Sequence, residues 1–261
     1  MGRDEHERAV RFRTARRDPG LTVLEGFHAL KHGLRFGAEL VEAVAVDPPA
    51  LEAMAVELAP DLAGRLGGRV EQIDKGTLAD LVPLVPHTGV VAIARRPAVD
   101  LGAALAAPAA TPVVLLEQPR NMGNIGACIR VAAGAGAAAV VTTGPNDPWH
   151  PDAVRGAAGL QFALPVAAVK SLPPSDRPLL AIDPEGEDLV PGLVPPRAIL
   201  AFGTERHGLS GEVVERAEAR VSIPMREGVS SLNLATSVAV VLFFMRLTTD
   251  TAGRGADTLH E

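Results

Sequence analysis

PVVLLEQPRNMGNIGACIRVAAGAG, residues 112–136, decides how the rest of this 261-residue chain is read. PVVLLEQ is a continuous apolar run, the pattern of a strand buried on both faces of a parallel sheet. After it, Ile125, Cys128, Ile129, Ala132 and Ala133 recur at helical spacing, so the chain turns near Asn121 to Asn124 and a helix follows. Strand, glycine-bearing turn and helix open an α/β unit of nucleotide-binding type. The glycines stop short of the dinucleotide fingerprint, because Gly123 and Gly126 give G-x-x-G where G-x-G-x-x-G is needed. A nicotinamide-dependent enzyme therefore ranks low. Cys128 falls on the apolar stripe and reads as packing. Arg130 lies off it, six residues past Asn124 or ~9 Å along a helix axis. Helical side chains lean towards the N-terminus, so Arg130 can return to the mouth where Asn124 sits, at the C-terminal end of a parallel strand where such folds place ligands.

Upstream, the composition changes over Arg95 to Pro112, RRPAVDLGAALAAPAATP. Its prolines and small residues mark a linker, 97–111, holding one short helix from Leu101 to Ala106. Before it, residues 1–96 read as a small α/β domain. Strands are expected at Leu21–Leu24, Val41–Val46, Val70–Ile73 and Val90–Ala94, with helices at Glu25–Phe36, Leu51–Leu58 and Lys75–Leu81. Six arginines from Arg3 to Arg17 crowd the N-terminus against Asp4, Glu5 and Glu7, and such a charge run reads as a solvated or disordered arm. His28, Lys31 and His32 sit together on the first helix, but two histidines without a third ligand make no metal site.

Downstream, AAAVVTT is a strand, Pro151 to Gly156 a short helix, and Phe162 to Val166 a return to the sheet. Arg155 on that helix is as suited to a surface role as to a substrate phosphate. Ser171 to Pro178 is a connector, LLAIDPEG a strand and turn, and Ile199 to Phe202 a buried strand running into a glycine loop. VSIPMREGVSSLNLATSVAVVLFFM, residues 221–245, passes from a short β run through a loop to Ser-Ser-Leu-Asn. Ser230 or Ser231 is expected to cap the long apolar helix that follows. A helix apolar on nearly every side is covered by a core and by a second subunit. Residues 248–261 read as a disordered polar tail.

Composition sets the class. Hydrophobic residues make up 47% and charged residues 21%, values of a folded globule. Aromatics at 3%, with no Tyr, argue against a surface that stacks many bases, and a net charge of −6 does not advertise a nucleic-acid binder. A single Cys excludes an internal disulfide, and no signal peptide or membrane span is visible, which points to the cytoplasm.

Three segments together resemble one family. N-I-G-A-C-I-R (124–130), F-G-T-E-R-H-G-L-S (202–210) and I-P-M followed by S-S-L-N (223–233) are similar, in order and spacing, to the three motifs of the SpoU (TrmH-type) RNA 2′-O-methyltransferases of the SPOUT superfamily. The likeness is firm over about Val113 to Met245. In front of it, LEGFHAL and HTGVVAIA are similar in layout to the ribosomal-protein-like RNA-binding domain that many members carry.

The resemblance implies a trefoil-knotted parallel-sheet methyltransferase domain over 112–247, preceded by a small α/β RNA-binding domain, with S-adenosylmethionine as cofactor and a homodimer whose site draws on both subunits. By position, Phe202, Gly203, Thr204, Glu205, Gly208, Leu209, Ile223, Pro224, Met225, Ser231 and Leu232 would hold the cofactor. Glycines suit that task because bare backbone can approach adenine and ribose closely. Asn124, Arg130, Ser231 and Asn233 would form the polar catalytic set, and no metal is implied. The expected substrate is RNA, ribosomal in preference to transfer RNA. The alternatives are a tRNA 2′-O-methyltransferase and a non-catalytic knotted RNA-binding protein.

Overall fold

The structure, a computed structural model, describes residues 3–66, 68–204 and 207–256, with 249–256 described by backbone alone. The elements begin, in chain order, with α1 (Arg3–Ala15), β1 (Leu21–Glu25), α2 (Phe27–Arg35), β2 (Leu40–Ala45), α3 (Pro48–Leu58), β3 (Glu71–Gln72), α4 (Lys75–Leu81) and β4 (Val90–Arg95). They continue with α5 (Leu101–Ala106), β5 (Val113–Leu116), α6 (Met122–Ala135), β6 (Ala139–Thr142), α7 (Pro151–Gly156), β7 (Val166–Ala168), β8 (Leu179–Asp188), β9 (Ile199–Phe202), α8 (Gly211–Arg216), β10 (Ala219–Ser222) and α9 (Leu234–Ala256). Two compact units result: Met1–Ala98 joined by Trp149–Ala163, and Val99–Pro148 joined by Leu164–Glu261.

The N-terminal unit is a four-stranded sheet of order β1-β4-β2-β3, covered on both faces. Side chains alternate across it with period two, as strand geometry requires. Leu24, Ala43, Ala45, Ala92 and Ala94 join one core with Leu30 and Leu34 of α2 and Leu51 of α3. Val23, Val44, Val91 and Ile93 join the other, with Leu78 of α4 and Phe12 of α1.

Phe12 overturns the expectation of a loose N-terminal arm. Ala9, Phe12 and Ala15 recur every third residue, and α1 buries that stripe. Removing one Phe side chain from water contributes about 1.5–3 kcal/mol towards holding this 13-residue helix in place. The arginines are paired as well. Arg8 donates to Glu42 at 2.7 Å and to Glu71 at 2.6 Å, and Arg11 donates to Glu42 at 2.8 Å.

Burial pulls the Glu42 carboxyl up, but the hydrogen bonds from Arg11 and Arg8 outweigh it and hold the group below its ordinary value. Asp61 and Asp176 are lowered chiefly by hydrogen bonds from Arg35 and Arg197, and Asp74 by its bond from Thr77. A carboxyl with a lowered folded value stabilises the fold above its unfolded value and loses that contribution as pH falls through the folded one. Stability is therefore expected to hold from neutrality to about pH 5 and to fall below about pH 4. Glu42→Gln should lose about 1–2 kcal/mol at neutral pH and respond less to acid. A variant whose melting profile between pH 3 and pH 7 runs parallel to wild type would contradict this.

The 149–163 stretch belongs to this unit although the strands on either side of it, β6 and β7, do not. Val154 joins the Leu24 and Leu30 core. Thr22 Oγ1 donates to the Trp149 carbonyl at 3.1 Å, and His32 Nδ1 to that of Ala158 at 2.7 Å. A Cβ at Gly159 would lie 2.4 Å from the Ala29 oxygen, so only glycine fits there. Glu25, 2% exposed in its side chain, is paired with both Arg16 and Arg155, while Arg155 also reaches Asp152 at 2.6 Å. Arg155 is thus a structural cation.

The second unit is a six-stranded sheet of order β10-β8-β9-β5-β6-β7, parallel throughout. Central β5 pairs with β9 on one side and β6 on the other, and all four of its residues are buried, as the unbroken apolar run requires. Asn121 starts α6 by accepting the Asn124 N–H at 2.9 Å, and Gly136, at φ 77°, ends it in the left-handed conformation.

The stretch read as a linker is packed into this unit. Arg177, 3% exposed, donates five hydrogen bonds to carbonyls, those of Ala104, Leu105 and Ala107 around α5 together with Thr111 and Arg197. Arg197 adds a bond to Ala107 at 3.0 Å and pairs with Asp176 at 2.9 Å. The unit accordingly starts at Val99 and not at residue 112. At the other end α9 continues to Ala256, through most of the stretch read as a disordered tail; residues 257–261 lie outside the described residues.

Candidate active site

The C-terminal ends of the parallel strands and the loops after β9 and β10 surround a cavity of about 290 Å³. Ligand pockets begin near ~300 Å³. Of the residues expected to hold a cofactor, Phe202, Gly203, Thr204 and Gly208 line it from the β9 side. Ile223, Met225, Ser231 and Leu232 line it from the segment after β10. Leu209, partly buried, packs against the core that holds Leu105 and Ile199, and Pro224 is exposed between the cavity-lining Ile223 and Met225. Glu205 lies outside the described residues.

The β9 loop is closed by its own backbone. Thr204 N–H donates to the Gly208 carbonyl at 3.0 Å and Gly208 N–H returns to the Thr204 carbonyl at 2.9 Å. A Cβ on Gly203 would meet the Gly208 carbonyl carbon at 2.0 Å. This glycine is required by the loop folding back on itself, a different reason from the close ligand approach inferred from sequence. Just past β5, Glu117 fastens the far end of the loop by accepting from both the Ser210 N–H at 2.7 Å and the Ser210 hydroxyl at 2.6 Å. Ser210 Oγ in turn accepts the Val213 N–H at 3.3 Å and starts α8.

The cap of α9 is also not the one expected. Asn233 Oδ1 accepts the N–H groups of Ala235 at 2.9 Å and Thr236 at 3.4 Å, leaving Ser230 and Ser231 to line the cavity. With its oxygen so engaged, Asn233 turns Nδ2 to Asn124 and donates to Oδ1 at 3.2 Å. Two of the four residues expected to be catalytic are thus brought into contact from elements 109 positions apart in sequence. Arg130 is not brought to them within the chain. It stands exposed on α6, ~9 Å along the axis from Asn124 and about 120° round it.

Sequence reasoning missed Ile182, Asp183 and Pro184, which complete the cavity from β8. Nothing in LLAIDPEG announces this; the placement follows from β8 pairing with β9, and strand order is a tertiary fact. A second cavity of about 630 Å³, near the start of β5 and lined by Leu189, Val194, Leu242 and Met245, holds none of the expected site residues. Among the described residues no group of three or more His, Cys, Asp or Glu is placed to hold a metal ion, and no helix is long and apolar enough to cross a membrane.

Comparison with known proteins points to one family. Residues 111–243, just over half of the chain, match the SpoU rRNA Methylase family. An uncharacterised tRNA/rRNA methyltransferase of Synechocystis is 30% identical over 243 residues, covering 88% of this chain and 85% of the relative. The 23S rRNA (adenosine(1067)-2′-O)-methyltransferase of Streptomyces azureus is 28% identical over 85% of this chain and 84% of its own length. Among solved structures, the SpoU methyltransferase AviRb from Streptomyces viridochromogenes, in complex with AdoMet, superposes with a TM-score of 0.75 at 25% identity, covering 97% of this chain and 99% of that one. Matched over residues 111–243, the chain belongs to the SpoU rRNA Methylase family.

Proposed function

We propose that the protein methylates a ribose 2′-hydroxyl of ribosomal RNA in the cytoplasm, with S-adenosylmethionine as donor, and works as a knotted homodimer. The observation that carries this reading is the Asn124–Asn233 contact beside a cavity walled by the family's glycine loop and the hydroxyls of Ser230 and Ser231. The cofactor supplies a methyl group on a sulfonium. Phe202, Gly203, Thr204, Ile223, Met225 and Leu232 hold it. Its fit is supported by the cavity's mixture of apolar walls and hydroxyls, suited to a purine and a ribose, and by the close backbone approach of Gly203 to Gly208, which we take as part of the knot.

Asn124, Asn233 and Ser231 orient the accepting ribose. Asn233 suits that role because two backbone N–H groups already fix which way its amide points. Arg130 stabilises charge on the accepting oxygen and does not act as base, since a guanidinium presents hydrogen-bond donors only and no acceptor. Exposed on α6, it completes the site of a second copy. The dimer is supported by Val240, Phe243 and Leu247, which lie exposed at three- and four-residue spacing on α9, the helix packed against α6. Ribosomal RNA is favoured by the activity named for the Streptomyces azureus relative. In the N-terminal unit the RNA face falls to Arg13 and Arg17, both exposed, because Arg8 and Arg11 are held by carboxylates.

The test is transfer of a tritiated methyl group to ribosomal RNA and, separately, to unmodified transfer RNA, followed by nucleoside analysis. Label is expected in a 2′-O-methylnucleoside of ribosomal RNA; label in transfer RNA alone would move the substrate class. Arg130→Ala should lower the rate about 10²–10³-fold while leaving cofactor affinity within about twofold. A variant that methylates at the wild-type rate removes Arg130 from the site.

A further inference from the structure

The described walls of the cavity are neutral with one exception. Apolar side chains and the hydroxyls of Thr204, Ser230, Ser231 and Ser237 make up most of the lining, and Asp183 is the single charged side chain among the described lining residues. It follows Ile182, whose pairing with Phe202 is the last between β8 and β9. Asp183 is half-buried, and Oδ1 accepts the Glu185 N–H at 2.8 Å, which fixes the carboxylate at the cavity wall. Glu185 draws the nearby guanidinium of Arg220 to itself at 3.1 Å. No ion pair among the described residues neutralises Asp183.

S-adenosylmethionine carries a sulfonium and an ammonium against one carboxylate, a net charge of +1. The demethylated product, S-adenosylhomocysteine, has lost the sulfonium charge and is neutral overall. A lone half-buried carboxylate distinguishes these two molecules by Coulomb attraction even without touching sulfur, because the rest of the two ligands is identical. We propose that Asp183 is a specificity residue of the cofactor site, setting a negative potential that favours the cationic methyl donor over its neutral product. The inference rests on reading this cavity as the cofactor site. It gives Asp183 a part in turnover as well, since the attraction is withdrawn once the methyl group has left.

Calorimetric titration of wild type and Asp183→Asn with S-adenosylmethionine, S-adenosylhomocysteine and sinefungin tests it. Sinefungin carries an ammonium in place of the methylated sulfonium and so keeps the positive charge without a transferable methyl. Asparagine retains the acceptor for the Glu185 N–H and removes only the charge. The two cations are expected to bind the variant about tenfold more weakly than wild type, the neutral product to change by less than about twofold, and the wild-type preference for cations to shrink as salt rises. Equal weakening of all three ligands, or of none, overturns the proposal. A salt-insensitive preference in wild type overturns it too, without recourse to any variant. If wild type binds none of the three, the cofactor-site reading itself fails, an outcome distinct from wild-type binding with an unchanged preference in the variant.

Discussion

Gly203→Ala is expected to weaken S-adenosylmethionine binding by at least about 100-fold. The added methyl would fall 2.0 Å from the Gly208 carbonyl carbon, 2.2 Å from its oxygen and 2.3 Å from the Leu209 nitrogen. All three are backbone atoms, so no rotamer change relieves the clash, and the two strands of the loop must part by an ångström or more. That breaks the reciprocal Thr204–Gly208 bonds, each contributing about 1 kcal/mol, and displaces cavity-lining residues together. Gly208→Ala supplies the comparison. Gly208 has φ 62° but nothing within 4 Å of the added methyl, so alanine there costs only about 1–2 kcal/mol of left-handed conformation. Titration calorimetry should therefore rank Gly203→Ala far below Gly208→Ala in affinity. Equal affinities would show that the loop is not folded back as described.

Arg177→Met is the other large effect, an expected loss of about 3–5 kcal/mol in chemical unfolding. Burial, and then the charge of Arg197, push the Arg177 guanidinium below its ordinary value. It remains cationic, its attraction divided among five carbonyls. Methionine fills much of the volume but takes the guanidinium donor from all five carbonyls, of which only Ala107 and Leu105 keep a bond from Arg197, and each buried orphan costs about 1–3 kcal/mol where water cannot replace it. Arg177→Lys should fare little better, because a single ammonium cannot span carbonyls on both sides of α5. A loss below 1 kcal/mol for Arg177→Met would mean that the 99–112 stretch holds its place without this cation.

Arg177 also marks where the sequence stopped being legible. In a Pro-rich stretch, a single arginine reads as solvated, and only the folded chain shows carbonyls of 104–111 converging on it. Phe12 was hidden in the same way, by six arginines that drew attention from the three-residue spacing of Ala9, Phe12 and Ala15. By contrast β5 and β9 were readable as buried strands, because four consecutive apolar residues leave no face for water. In the site, the motif loops were legible, since glycine and asparagine report on backbone shape and capping. Asp183 was not, for β8 carries no motif and its place beside β9 depends on a crossover that local patterning does not encode. The error over the α9 cap has a simple physical source. Ser230, Ser231 and Asn233 are all good caps, and only the position of the first helical residue, Leu234, selects Asn233.

The return of residues 149–163 to the N-terminal unit bears on how the protein is made. Val154 belongs to the core with Leu24 and Leu30, and Arg155 answers Glu25, so the first 98 residues do not hold the whole of their own interior. A unit that emerges first from the ribosome is thus completed late, after 65 more residues, the difference between 98 and 163, have been added. At about 5–20 residues per second that interval is roughly 3–13 s, during which β5, α6 and β6 are synthesised and the older unit waits with part of its apolar surface uncovered.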